Sequence, residues 1–116
     1  MPQMELSCTF HFAASHFLTK YHGKCENLHG HNYKIIITIE GDLKEDGMVI
    51  DFKIIKDIVK EKVIDILDHT HLNDTIDNPS AENLAVWIWA KIKDDLPLKN
   101  ITIYETDNYS CTYEGK

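Results

Sequence analysis

Apolar and polar residues alternate along the first stretch of the chain. Met4, Leu6, Cys8, Phe10, Phe12 and Ala14 fall on one side of an extended backbone, with Glu5, Ser7, Thr9 and His11 on the other. The alternation predicts a half-buried strand that carries His16 inward and His11 toward water. A connection from Phe17 to Leu28 follows, with Lys20, His22, Gly23 and Lys24 in it. The pattern of two then resumes: His31, Tyr33, Ile35, Ile37 and Ile39 share one face, Asn32, Lys34, Thr38 and Glu40 the other, and Gly41-Asp42 begins a turn.

The period then changes from two to between three and four. Asp51 reads as a helix cap, and Phe52, Ile55, Ile58, Val59, Lys62, Val63, Ile66 and Leu67 recur at helical spacing as far as Leu67. Asp68 to Asn73 reads as a polar connection. Asn78-Pro79-Ser80-Ala81-Glu82 supplies a cap, an early proline and a first-turn acid for a second helix with the stripe Leu84, Trp87, Ile88 and Ile92, which Pro97 closes. Ile101, Ile103 and Glu105 then share a strand face, and a last strand is predicted over Tyr109 to Tyr113. The order β-β-α-α-β-β predicts an α+β fold, a four-stranded antiparallel sheet with two helices on one face. The other face is left bare, with an edge that invites self-association.

Composition narrows the class. At 116 residues, 43% hydrophobic and 27% charged, the chain fits one globular domain over 1–116 and not a disordered segment. No apolar run approaches the roughly 20 residues that span a bilayer, and no signal-peptide pattern opens the chain, so a cytoplasmic location with no membrane partner is expected. The net charge of −7 argues against nucleic acid as a partner. All 12 basic residues are lysines, so an anionic substrate must be held without guanidinium forks. Three cysteines, Cys8, Cys25 and Cys111, do not form a disulfide framework.

The chemistry concentrates in Cys25-Glu26-Asn27-Leu28-His29-Gly30-His31. Residues i and i+2 of a strand share a face, so His29 and His31 can converge on one ion, and the first strand brings His16 as a third ligand. Three imidazoles suit zinc and leave its fourth position open, the arrangement of a catalytic site. Cys25, near that ion, is open to three readings: a general base or nucleophile with a lowered pKa, an inert buried thiol, or a fourth ligand. Asp68-His69 is either a proton-transfer pair or ordinary helix-end chemistry, and His71 competes for the same role. Glu105, placed on an apolar face, calls for a donor partner such as the two N–H groups of a guanidine-like heterocycle edge, or else sits in a solvated turn.

Taken in order, Phe12-Ala13-Ala14-Ser15-His16, Leu28-His29-Gly30-His31-Asn32-Tyr33, Met48-Val49-Ile50-Asp51-Phe52, Leu67 to Asn73, Asn78 to Asn83 and Tyr104-Glu105-Thr106 resemble blocks of the 6-pyruvoyl-tetrahydropterin synthase family. The three residues between Cys25 and His29 resemble its 6-carboxy-5,6,7,8-tetrahydropterin synthase branch, of queuosine biosynthesis. The resemblance implies the tunnelling fold, assembled as a homohexamer of two trimers with sites between subunits. It implies zinc on His16, His29 and His31, Cys25 as proton acceptor, Asp68 and His69 as a relay, and Glu105 with Thr106 on the pterin. The implied reaction converts 7,8-dihydroneopterin triphosphate to 6-carboxytetrahydropterin, acetaldehyde and triphosphate. Alternatives are 6-pyruvoyl-tetrahydropterin synthesis, a pterin aldolase, or a structural zinc-binding oligomer in which Cys25 closes the site.

Overall fold

The alternating segments become two long strands, β1 (Gln3–His16) and β2 (His29–Asp42), paired antiparallel without a break from Gln3 opposite Asp42 to His16 opposite His29. The computed structural model describes residues 2–19 and 27–116. β4 (Leu98–Thr106) adds antiparallel to β2, and β5 (Tyr109–Tyr113) antiparallel to β4. Parity holds as the sequence demanded: Phe12, Ala14, Tyr33, Ile35, Ile37, Ile39, Ile101 and Ile103 are buried on one face, and His11 is exposed on the other.

The sheet corrects one expectation. It has five strands in the order β3-β1-β2-β4-β5 and is mixed, because β3 (Thr70–His71) lies parallel to Ala14 and Ser15 of β1. Two residues are too few to show alternation, so the strand is silent in the sequence. What places it is hydrogen bonding: Ala13 donates its N–H to Asp68 Oδ1 at 3.0 Å, and His69 donates its own to the Ala13 carbonyl at 2.6 Å.

The first helix also departs from its predicted stripe. Asp51 caps it by accepting from the Lys53 N–H at 2.9 Å, and α1 (Phe52–Val59) runs through a π-helical turn (Lys60–Ile64) into α2 (Asp65–Leu67). Its fully buried residues are Ile55, Val59, Val63 and Leu67, while Phe52 and Ile66 are 55% and 39% exposed. A constant spacing of four drifts about 40° per step around a 3.6-residue helix. The wider π turn subtracts from that drift and keeps all four residues toward the sheet. α3 (Ala81–Ile92) starts at Ser80, whose Oγ accepts from the Asn83 N–H at 3.1 Å, and buries Leu84, Ala85, Ile88 and Ile92. Both helical segments close over the apolar sheet face to form one core, in which each buried isoleucine or leucine contributes about 1.5–3 kcal/mol. The histidines lie where that core ends, at the tips of β1 and β2.

Candidate metal centre

His16 closes β1 and His29 opens β2, so their pairing puts the two imidazoles side by side, and His31 follows on the same face. The three rings stand 4.5 to 5.1 Å apart between centroids. His16 is 1% exposed.

Backbone carbonyls fix the tautomers of two of them. His16 Nδ1 lies 2.7 Å from the Pro79 carbonyl oxygen and His29 Nδ1 lies 2.8 Å from that of Asn27. A carbonyl only accepts, so in each ring Nδ1 carries the hydrogen and, in the neutral imidazole, Nε2 carries the lone pair. The Tyr33 hydroxyl oxygen, 3.3 Å from His16 Nδ1, shares that donor. Burial, and then the Glu105 carboxylate, pushes the Tyr33 phenol well above its ordinary range, so it stays protonated.

The two Nε2 atoms are 2.9 Å apart. Two lone pairs aimed at each other at that distance repel unless a positive centre lies between them. Glu105 Oε1 comes within 3.3 Å of His31 Nε2, and one ligand atom from each of His16, His29, His31 and Glu105 fits within a 4.8 Å span. Zinc–nitrogen bonds of about 2.0–2.1 Å imply a tetrahedron edge of about 3.3–3.4 Å. Donor type and tautomer therefore suit a zinc-like cation, and that edge lies between the 2.9 Å approach of the two Nε2 atoms and the 4.8 Å span of the group.

Glu105 continues the inward face of Ile101 and Ile103 on β4 and sits at a bulge. β4 and β5 pair at Tyr104 with Ser110 and again at Thr106 with Tyr109, which leaves Glu105 as the extra residue of the bulged strand. Thr106 ends β4 half-buried, and its Oγ1 accepts from the Asn108 N–H at 3.2 Å. A cavity of about 210 Å³ joins Glu105 to Glu82 of α3 and to Cys111. Burial, then Glu82 and Glu105, raises the Cys111 thiol above its usual value, which leaves it a protonated thiol.

The Asp68-His69 pair lies at the β3 edge. His69 Nδ1 is 3.0 Å from Asp68 Oδ1, and its ring is 82% exposed. The backbone there is left-handed, with φ +60° at His69. The Ala13 N–H foremost, with His69 adding to it, holds the Asp68 carboxyl below its usual range. His71 turns to Ser15, with Nδ1 3.1 Å from Oγ, and stacks on Phe17. Asn73 braces the segment through two bonds to Phe17, accepting from its N–H at 3.0 Å and donating to its carbonyl at 2.9 Å. Cys25 lies outside the described residues, as do Lys20, His22 and Lys24.

Sequence reasoning did not single out Tyr33 as a partner of His16, the carbonyls of Pro79 and Asn27, or the Asn73 brace. The Asn78-Pro79 step before a helix cap was the available signal for the first carbonyl. The Asn27 carbonyl is a backbone group without a residue-specific mark, and nothing in the spacing pairs Tyr33 with His16 or Asn73 with Phe17.

Residues 5–116 match the family model described as 6-pyruvoyl tetrahydropterin synthase. The chain is 39% identical over 105 residues to a 6-pyruvoyl tetrahydrobiopterin synthase of Dictyostelium discoideum, covering 84% of this chain and 78% of that protein. It is 33% identical to a 6-carboxy-5,6,7,8-tetrahydropterin synthase of Haemophilus influenzae, covering 95% and 98%. Its fold superposes on the 6-pyruvoyl tetrahydropterin synthase structure from Caenorhabditis elegans with a TM-score of 0.89 at 28% identity, over 100% of this chain and 98% of the other.

Proposed function

The chain belongs to the 6-pyruvoyl tetrahydropterin synthase family, and from that membership we propose that it is a zinc-dependent 6-carboxy-5,6,7,8-tetrahydropterin synthase of queuosine biosynthesis. The substrate is 7,8-dihydroneopterin triphosphate, which with water gives 6-carboxytetrahydropterin, acetaldehyde and triphosphate. The observation that carries the zinc-dependent part is the meeting of two Nε2 lone pairs at 2.9 Å, each ring pinned from behind by a carbonyl. The choice of product leans on the three-residue spacing between Cys25 and His29 and on the Haemophilus influenzae relative.

His16, His29 and His31 would hold the ion, whose chemistry when bound is to polarise the hydroxyls of the substrate side chain and so acidify the neighbouring C–H bonds. Glu105, on the inward face of β4, pairs with the N–H edge of the pterin, with Thr106 beside it. Cys25 takes a proton from the side chain and His69 returns one, kept in tautomer and orientation by Asp68. The exposed edges support an assembly of two trimers with sites between subunits. Among the described residues, β1 has no second strand partner before Ala13, and β5 ends the sheet on the other side. Unlike edges that pair head to tail form a ring where the rotation between subunits closes.

Incubating the metal-loaded protein with 7,8-dihydroneopterin triphosphate and analysing the products by mass tests the assignment. Carboxytetrahydropterin with stoichiometric acetaldehyde is expected. A pyruvoyl product without acetaldehyde transfers the chain to the second reading, 6-pyruvoyl-tetrahydropterin synthesis, which the Dictyostelium discoideum relative favours. Cys25→Ala keeps zinc and loses turnover if the site is catalytic. Loss of zinc from that variant, with no turnover in the parent protein, returns the site to a structural role.

A further inference from the structure

β3 is two residues long, and at Leu72 the chain leaves it for a 3-10 turn (Leu72–Asp74). The β1 segment stays fastened beyond that point. Alternate residues of an extended chain present their N–H and C=O groups to the same edge. At this edge Ala13, Phe17 and Thr19 are all engaged by residues 68–78. Phe17 is held by a side chain in place of a strand: Asn73 Oδ1 accepts from its N–H at 3.0 Å while Asn73 Nδ2 donates to its carbonyl at 2.9 Å. A planar carboxamide offers the same acceptor and donor as a peptide unit, so it pairs with Phe17 as a neighbouring strand would. Asn78 extends the imitation by one step, its Oδ1 accepting from the Thr19 N–H at 2.9 Å.

These fastenings bracket the chemistry. At one end Ala13 bonds to both Asp68 and His69; at the other Asn73 grips Phe17. A strand rises about 3.3 Å per residue, so the two attachments on this chain stand about 13 Å apart. Between them lies His16, buried, with its ring on the Pro79 carbonyl. The His69 ring is 82% exposed, so its place relative to His16 is set by the backbone that carries it and not by packing. A segment attached at Ala13 alone can swing about that point, and a second attachment removes the swing. His71 fills the interval with one contact to Ser15 and a stack on Phe17. A single bond and a stack tolerate sliding, whereas the paired bonds of Asn73 fix the register.

We propose that Asn73 is a positioning residue for the proton relay, fixing the separation of His69 from the ion through the backbone of Phe17; the proposal rests on the zinc and relay roles given above. Two variants separate this from space-filling. Asn73→Ala removes both bonds. Asn73→Asp fills the same space and keeps the acceptor, but near neutral pH it sets an ionised oxygen against the Phe17 carbonyl. In both, kcat for 7,8-dihydroneopterin triphosphate should fall about tenfold to 100-fold with KM within about threefold, the cost of a misplacement of about 1 Å. Zinc content should stay at the parent level. Cobalt(II) loaded in place of zinc supplies a readout that needs no turnover, because the pseudocontact shifts of the His69 ring protons fall with the cube of their distance from the ion. Those shifts should change in both variants while the His29 and His31 ring signals keep their parent positions. Should Asn73→Ala fail to fold, Asn73→Asp carries both measurements. Parent His69 shifts in Asn73→Asp overturn the proposal whatever the turnover, and so does loss of zinc from that variant, which would make Asn73 a support of the metal site alone. Altered His69 shifts in a protein that never turns over the pterin keep the positioning role and remove the reaction.

Discussion

At the scale of single residues, Glu105 has two possible partners, an ion and a heterocycle. As a fourth ligand it would close the coordination sphere; as a pterin anchor it leaves the sphere open for substrate. The proposed function requires the second, so Glu105→Gln should retain zinc at near-parent stoichiometry by elemental analysis while turnover falls about 100-fold or more, as expected when a bidentate charged contact is lost. Loss of the metal in that variant would make Glu105 a ligand. Asp68 allows a different measurement. Its carboxyl titrates lower in the folded chain than in the unfolded one, so the stability it contributes is complete above about pH 4 and is lost as pH falls through the depressed folded value. In Asp68→Asn, the acid limb of stability against pH below about pH 4 should become shallower by up to one proton, as read from urea unfolding at a series of pH values. Superimposable limbs would mean that the Ala13 and His69 contacts do not differ between the folded and unfolded states.

At the scale of elements, the π turn makes an unusual forecast about deletions. Removing Glu61, an exposed residue inside the turn, leaves an ordinary α-helix that still aims Val63 and Leu67 at the sheet. Removing Lys56 from the regular turn rotates everything after it by about 100°. The first deletion should preserve a single cooperative thermal transition and the second should abolish it, as followed by circular dichroism. The sequence carried most of this architecture because β1, β2 and the helices each repeat their period several times, from Met4 to Ala14 and from Ile55 to Leu67. It concealed β3, whose two residues cannot express a period, and the π turn, whose signature is only a spacing of four in place of 3.6. The three histidines were readable from parity alone. The approach of Glu105 to His31 was not, because it depends on the order in which separate strands pair.

At the scale of the molecule, the ion would tie together two strand ends, at His16 and His29, that lie 13 residues apart in sequence. A ligand bound only by the folded state adds RT ln(1 + [L]/Kd), about 2.7 kcal/mol at one hundred times Kd. Chelation should therefore lower the melting temperature by several degrees, and zinc should restore it; an unchanged melting point would mean that the cluster holds no ion in solution. The Pro79 carbonyl that pins His16 sits one residue ahead of the Ser80 cap of α3, so a single junction serves both helix and ligand. Fraying of that helix end frees the imidazole to flip. The lifetime of an ion held there would then be governed by the breathing of a helix that never touches it, and metal escape should keep pace with deuterium uptake at the α3 amides.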